Sequence, residues 1–415
     1  MNPHFDSLEI RSTAAREAAQ LAALPGLIAH AQQHSPAAAL SLAGIHSASV
    51  NSWAALATLP VTRKHTLLER QQASRPGDPF GGFAAVVRGR KMPRIFSSPG
   101  PIYEPDVARP DYWRLGRALF AAGFREGDLA HNSFSYHMTP GAFMMESGAH
   151  AIGCSVFPAG TGQTEQQLAA IADLRPDAYI GTPSFLRILL EKAQASGSDI
   201  SSIKRALVSG EAFPPSLRDW LTDKGIAGYQ CYATADLGLI AYETEARQGL
   251  VLDEGVMVEI VRPGTGDPVP EGEVGELVVT TLNPDYPLIR FGTGDLSAVL
   301  PGTCPTGRSN TRIKGWMGRA DQTTKVRGMF VHLGQIAEIV QRFPEVLKAR
   351  LVVTGEMAND AMTLQVEISA SPEGLATRIG EAIRDVTKLR GGVDLISPGS
   401  LPNDGLVIQD ARSYA

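Results

Sequence analysis

Between residues 111 and 232 helical and extended segments alternate, joined by connections of only a few residues. Helices are predicted over 111–124, 140–150, 163–173, 184–195 and 214–224, and strands over 129–134, 155–158, 177–181, 204–208 and 227–232. Such alternation leaves few architectures open, because each strand must return parallel to its neighbour through a covering helix. Strands buried on both faces read as short apolar runs, and AYIGT and RALVS do so.

The flanks have a different character. Apolar residues at helical spacing (Leu8, Ile10, Ala14, Ala18, Leu21, Leu27, Ile28) predict a helix within 8–35, and a second helical stretch covers 48–58. The Pro- and Gly-punctuated segment 59–83 reads as a surface connector. Beyond 238, GVMVEIVRPGTGDPVPEGEVGELVVTTL is rich in Val and turn residues, which predicts antiparallel strands in a small barrel or sheet. After 320, a helix (334–344), strands (348–354 and 362–369), a helix (373–388) and a strand (393–396) make a small α+β unit. With 415 residues the chain exceeds one ordinary core, and two domains are expected, 1–318 and 319–415, with the boundary near Gly318–Asp321. The fold class is therefore an α/β large domain, with parallel sheet layers and a small antiparallel β subdomain, followed by a small α+β C-terminal domain.

Charge and cysteine usage narrow the function. A net charge of −5 gives no reason to expect nucleic acid or an anionic membrane as partner. No apolar run is long enough to span a bilayer, and the first twenty residues lack a basic start followed by an apolar block. Cys154, Cys231 and Cys304 are far apart, which predicts neither a disulfide framework nor a zinc ribbon and suits a reducing cytoplasm.

Several stretches then resemble the phenylacetate–CoA ligases, a branch of the adenylate-forming enzymes, in that family's order. They are PVTRKHTLLERQQASRPGDPFGG, GTGQTEQQLAAIADLRPDAYIGTPSFLRILLEKA, LVSGEAF, CYATADLG, GELVVTTL, YPLIRFGTGDL and GRADQTTKVRG. The resemblance implies an adenylate-forming enzyme fold and an AMP-forming acid–thiol ligase. Its cofactors would be ATP/AMP, Mg²⁺ and CoA, with an aromatic or arylacetic carboxylic acid as substrate. An acyl-adenylate forms first, and the small domain then rotates so that CoA can attack.

Carried over residue by residue, the resemblance implies these roles. Asp295 accepts the ribose hydroxyls, as a charged acceptor in a Gly-flanked turn can. Tyr232 stacks on adenine with Ala233 and Thr234 beside it, and Asp236 holds Mg²⁺, an ion that takes hard oxygen ligands. Ser209, Gly210 and Glu211 wall the adenine site at the carboxyl end of a strand. Ser97, Ser98 and Gly100 belong to the phosphate loop. Arg319 contacts ribose or phosphate, Asp321 is the hinge, and Lys325 and Arg327 meet the phosphates of CoA. Phe134, Tyr136, His137 and Met138 line the acid pocket with Gly210 and Ala235, His137 supplying a polar or catalytic handle.

The sequence also departs from the family pattern. In CYATADLG, Ala233 and Ala235 replace the usual Gly and Thr, and Asp236 replaces a longer Glu. The phosphate loop, elsewhere a Ser/Thr/Gly-rich run ending in Lys-Pro, is IFSSPGPIYEP. Pro99 and Pro101 remove amide donors, and Glu104 places a negative charge where phosphate would lie. SLPNDGLVIQDARSYA has Leu406 after Gly405 where the family's catalytic Lys follows Gly. Alternatives to a ligase are an enzyme that handles a preformed acyl-adenylate or acyl-CoA without ATP, and a non-catalytic nucleotide- or CoA-binding homologue. The assembly stays open, a homodimer among the options.

Overall fold

In the computed structural model, strand Ala178–Gly181 lies between Leu129–Asn132 and Arg205–Val208, all parallel. Ser155–Phe157 extends the parallel set on one side and Ala227–Thr234 on the other. Residues 3–261, 266–320, 322–327, 329–331, 333–355, 360–369, 372–402 and 407–412 are described. The helices between these strands start and stop where local chemistry directs. Helix Pro183–Ser196 has Thr182 as N-cap, Pro183 in its first turn and Gly197 at φ 74° just past its end.

From Ala227–Thr234 the sheet continues antiparallel through Gly238–Glu243, Leu250–Leu252, Arg312–Ile313 and Val299–Leu300. A second sheet orders Thr62–Arg63, Phe291–Ser297, Gly275–Thr281 and Val256–Val261, the first pair parallel and the others antiparallel. The main core packs Leu115, Leu119, Phe124, Ala178, Ile180, Leu207 and Leu239 between helices and the large sheet.

The chain divides into two compact units, Met1–Gly318 and Arg319–Ala415. In the second, strands Gly392–Ile396, Ala361–Ile368, Val346–Thr354 and Ile408–Asp410 form a sheet in that order. Helices Leu333–Gln341 and Leu375–Thr387 contribute Ile336, Ile339, Ile379 and Ile383 to its own core.

Three local readings change. The connector 59–83 contains helix Lys64–Ser74, whose polar sequence buries little besides Leu67 and Gln71, so its apolar period is faint. The helix predicted from 111 starts at Leu115, because Asp111 and Arg114 take positive φ (46° and 67°) and the Asp111 carboxylate accepts from the Gly116 amide. The hairpin Thr324–Val326/Met329–Val331 and the strand Ile408–Asp410 are too short for a sequence period to reveal.

Candidate nucleotide and acid site

The parallel strands all release their chains at one edge of the sheet, where an open α/β sheet presents free backbone groups to a ligand. Ser209 follows Val208 and donates its hydroxyl to the Cys231 carbonyl at 2.9 Å, tying two adjacent strand ends together. Gly210 (φ 82°) and Glu211 come next and are exposed. Tyr232 and Thr234 end the neighbouring strand, and the turn 235–237 is capped by Thr234 Oγ1, which accepts from the Leu237 amide. Gly238, at φ 73°, closes that hairpin against Trp113, and a Cβ there would lie 2.8 Å from the Trp113 carbonyl oxygen.

Asp295 lies on strand Phe291–Ser297 and is buried, and the Tyr232 hydroxyl donates to its Oδ2 at 2.6 Å. Trp316 Nε1 donates to the other carboxylate oxygen at 3.1 Å. The Tyr232 ring is half-buried and packs against the cluster that contains Ile102, Leu237, Val279 and Phe291. The expected sugar acceptor and the expected adenine-stacking ring therefore meet each other directly.

A second cluster gathers one step away. Strand Thr62–Arg63 pairs parallel with Phe291–Ser297, and the Arg63 guanidinium bonds Glu276, which also accepts from the Gly294 amide. That pairing delivers Lys64, first residue of its helix, to Asp236, and Lys64 Nζ lies 2.9 Å from Asp236 Oδ2. Asp236 Oδ1 is buried without a hydrogen-bond partner. The hairpin Ile95–Ser98/Ile102–Pro105 brings in Glu104, buried and accepting from the Ser98 hydroxyl, with its Oε2 also unpartnered. Burial, and next the Asp236 carboxylate, push the Glu104 carboxyl up to about 8. Gln71 holds the hairpin by bonding both the amide and the carbonyl of Tyr103 at 2.8 Å.

The family of AMP-binding enzymes matches residues 119–283. The chain is 31% identical to the phenylacetate–coenzyme A ligase of Aromatoleum evansii over 88% of this chain and 84% of that protein. It is 30% identical to that of Thermus thermophilus over 88% of each. The chain belongs to the phenylacetate–CoA ligase family of adenylate-forming enzymes. In fold it also resembles a solved 2-hydroxyisobutyryl-CoA ligase in complex with its acyl-adenylate and CoA, with a TM-score of 0.79 at 24% identity, covering 98% of this chain and 92% of that one.

Set against this family, the phosphate-loop segment is a two-stranded hairpin. Ser98 is buried and engaged with Glu104, Ser97 is half-buried with its amide donating to the Met138 carbonyl, and Gly100 is exposed at the tip. The segment matching the family's acid pocket follows strand Leu129–Asn132. Buried Asn132, a residue the sequence reading did not single out, donates to the Tyr136 hydroxyl at 2.9 Å and the Ala142 carbonyl at 3.0 Å. Tyr136 in turn donates to Glu146 at 2.6 Å and sets its ring edge-on to Phe143. Burial, then Glu146, push the Tyr136 hydroxyl upward from its ordinary value. Phe134 and Thr182 lie 3.7 and 3.9 Å from where a Cβ on Gly210 would stand, ordinary van der Waals distances, so this glycine sits against the edge of an aromatic ring.

His137 and Met138, expected in that apolar wall, are exposed, Met138 at 62% with φ 64°. Ala235 is half-buried in the turn beside Asp236. Lys64, Trp316 and Asn132 carry no motif of their own. Only Lys64 had a signal, the PVTRK stretch of the resemblance.

In the second unit, Arg319 is half-buried and engaged, and Lys325 is exposed on its strand 5.9 Å from the Phe330 ring. Arg327 sits in a turn bonded to Asp360. Asp321, the expected hinge, and Gly405–Leu406 lie outside the described residues. Among the described residues no three His, Cys, Asp or Glu side chains are grouped to hold a metal ion, and no helix is long and apolar enough to cross a membrane.

Proposed function

We propose that the chain is an AMP-forming acid–CoA ligase acting on an aromatic or arylacetic acid through an acyl-adenylate. The observation that carries this reading is the buried Asp295 carboxylate, held at a strand edge by two neutral donors, Tyr232 and Trp316. Two donors of that kind, one on each oxygen, are what the vicinal hydroxyls of a ribose would offer in their place. Family membership and the names of the curated relatives favour the ligase reaction and an aryl acid.

In this reading Ser209, Gly210 and Glu211 border the adenine, and Phe134 and Tyr136 seat the ring of the acid beside Gly210. Asp236 has a buried oxygen without a partner, which suits a hard cation, and Mg²⁺ there would offset charge on the nucleotide phosphates. Lys64, on the other oxygen of Asp236, supplies a cation to the α-phosphate region that the phosphate loop and the C-terminal segment no longer provide. Arg319, Lys325 and Arg327 of the smaller unit carry further phosphate contacts to nucleotide and CoA. The three cysteines are free and buried, in keeping with a cytoplasmic setting.

The prolines and Glu104 in the phosphate loop favour one second reading, an enzyme that runs only the thioester half-reaction on a preformed acyl-adenylate. Incubation with ATP, CoA and a panel of aryl and aliphatic acids separates the two. Pyrophosphate release and thioester formation are expected with an aryl acid. Thioester formed only from supplied acyl-adenylate selects the second reading, and no turnover of either kind rejects both.

A further inference from the structure

Asn132 is fully buried and organises the loop that leaves its strand. Its side-chain oxygen accepts from the Phe134 amide at 3.2 Å, and its amide nitrogen donates to the Tyr136 hydroxyl at 2.9 Å. One residue thus anchors both aromatic members of the expected acid pocket. Outward from the strand edge the order is Gly210, Phe134, Tyr136 and, one hydrogen bond further, Glu146. Phe143 and Glu146, the two helix residues that meet Tyr136, also line a cleft of about 360 Å³ with Pro93, Arg94, Asp106 and Trp113. That volume suits a small organic group.

The hydrogen-bond inventory of this end is one-sided. Tyr136 gives its only proton to Glu146 Oε2 at 2.6 Å and accepts one from Asn132. A tyrosine hydroxyl has one proton and a carboxylate has none, so the pair keeps no donor to offer a ligand. What it keeps is acceptor capacity, a second lone pair on the Tyr136 oxygen and Glu146 Oε1. Glu146 is half-buried, and among the described residues Oε1 takes no hydrogen bond and no cation is paired with it. Asp106, the other carboxylate of the cleft, is instead paired with Arg94 at 2.9 Å. We propose that Glu146 recognises a hydrogen-bond donor, a hydroxyl or amino group, on the ring of the acid, so that the preferred substrates are hydroxyl- or amino-substituted aryl acids.

The inference rests on the reading of Phe134 and Tyr136 as the acid pocket and names the subclass of acid that pocket takes. A ring hydroxyl or amino group would give Glu146 a charge-assisted hydrogen bond in place of water. An unsubstituted ring would take water from a half-buried carboxylate and return nothing. A methoxy group, which only accepts, would set lone pairs against lone pairs. A site built to bond a donor rejects the analogue that lacks it more strongly than an apolar pocket rejects a missing methyl. The substituent is remote from the reacting carboxyl, so its contribution belongs in KM rather than in kcat.

Thioester formation and, separately, calorimetric binding to the full chain test this with phenylacetate and its ring-hydroxylated, amino and methoxy derivatives. The hydroxyl and amino acids should each bind at least about tenfold tighter than the methoxy acid, with the same order in KM. Glu146→Gln keeps an acceptor oxygen and should keep the order with a smaller margin. Glu146→Leu should invert it and bind the methoxy and unsubstituted acids more tightly than the wild type does, a gain that misfolding cannot mimic. A wild type that favours the unsubstituted or methoxy acid, or a Glu146→Leu protein with the wild-type order, overturns the proposal. Binding in the expected order without thioester from any acid leaves the proposal standing and removes the ligase reading. Thioester formed equally well from all four acids keeps the ligase reading and removes the proposal.

Discussion

The Tyr232 hydroxyl donates to Asp295 Oδ2 at 2.6 Å, joining the end of a strand in the large sheet to a strand of the second sheet. A nucleotide that takes Asp295 through its ribose must displace this donor. Tyr232→Phe should therefore bind AMP at least as tightly as the wild type, since the ring stays and the competing hydroxyl goes. Asp295→Ala should lose AMP binding while keeping the fold. Calorimetry with AMP checks both, and an unchanged affinity in Asp295→Ala would remove the sugar from this carboxylate.

Lys64 reaches Asp236 from 172 residues away. In Lys64→Met the adenylation step should slow by about 10²–10³, the usual cost of a cation lost at developing charge. Thioester formation from a supplied acyl-adenylate should slow far less. Pyrophosphate release and single-turnover thioester formation, measured separately, give the two numbers. Equal losses in both steps would place Lys64 in binding rather than in phosphate chemistry.

Arg290 is 2% exposed, pairs with Glu259 at 2.9 Å and donates to the carbonyls of Ala57, Leu59 and Gly266. It thus fixes the N-terminal segment just before strand Thr62–Arg63. Arg290→Met strands the Glu259 charge and three carbonyls, and should cost about 3–5 kcal/mol. Adding Glu259→Met should recover only part, because the carbonyls stay without a donor. Urea denaturation of the single and double variants measures this, and full recovery would mean that the carbonyl bonds matter little.

His131 is buried between the rings of Phe157 and Tyr179. The Gln167 amide nitrogen donates to the Gly160 and Gly162 carbonyls, so its oxygen accepts from His131 Nε2 at 2.8 Å and from Ser133. Burial lowers the imidazole below its usual value. A group depressed in the folded state contributes stability above its unfolded value, about 6.5, and loses it as pH falls further. The Tm should drop between pH 7.5 and pH 5, and His131→Gln should drop less. Parallel curves for the two proteins would show that His131 does not titrate on unfolding.

Much of the fold was legible because periodicity survives burial. The strands Ala178–Gly181 and Arg205–Val208 are apolar runs in the sequence and buried neighbours in the sheet. Candidate site residues could be named only where a motif is contiguous. Asp295, Asp236 and Ser209 could be named from their own stretches, whereas Trp316 and Asn132 act through partners that no local pattern specifies. His137 and Met138 went astray because the chain leaves the strand at Asn132 and turns Met138 to positive φ, which no apolar count reveals.

Periodicity and spacing by themselves determined the alternating layers and the small α+β unit, and the motifs in their order carried the resemblance to a ligase family. Tertiary structure alone decided that Lys64, Glu104 and Asp236 meet, and that Tyr232 bonds Asp295. Their meeting depends on a two-residue parallel strand, a hairpin and a sheet edge closing on one another. A chain's local pattern records which face of an element is buried, but not which distant charge will be buried beside it.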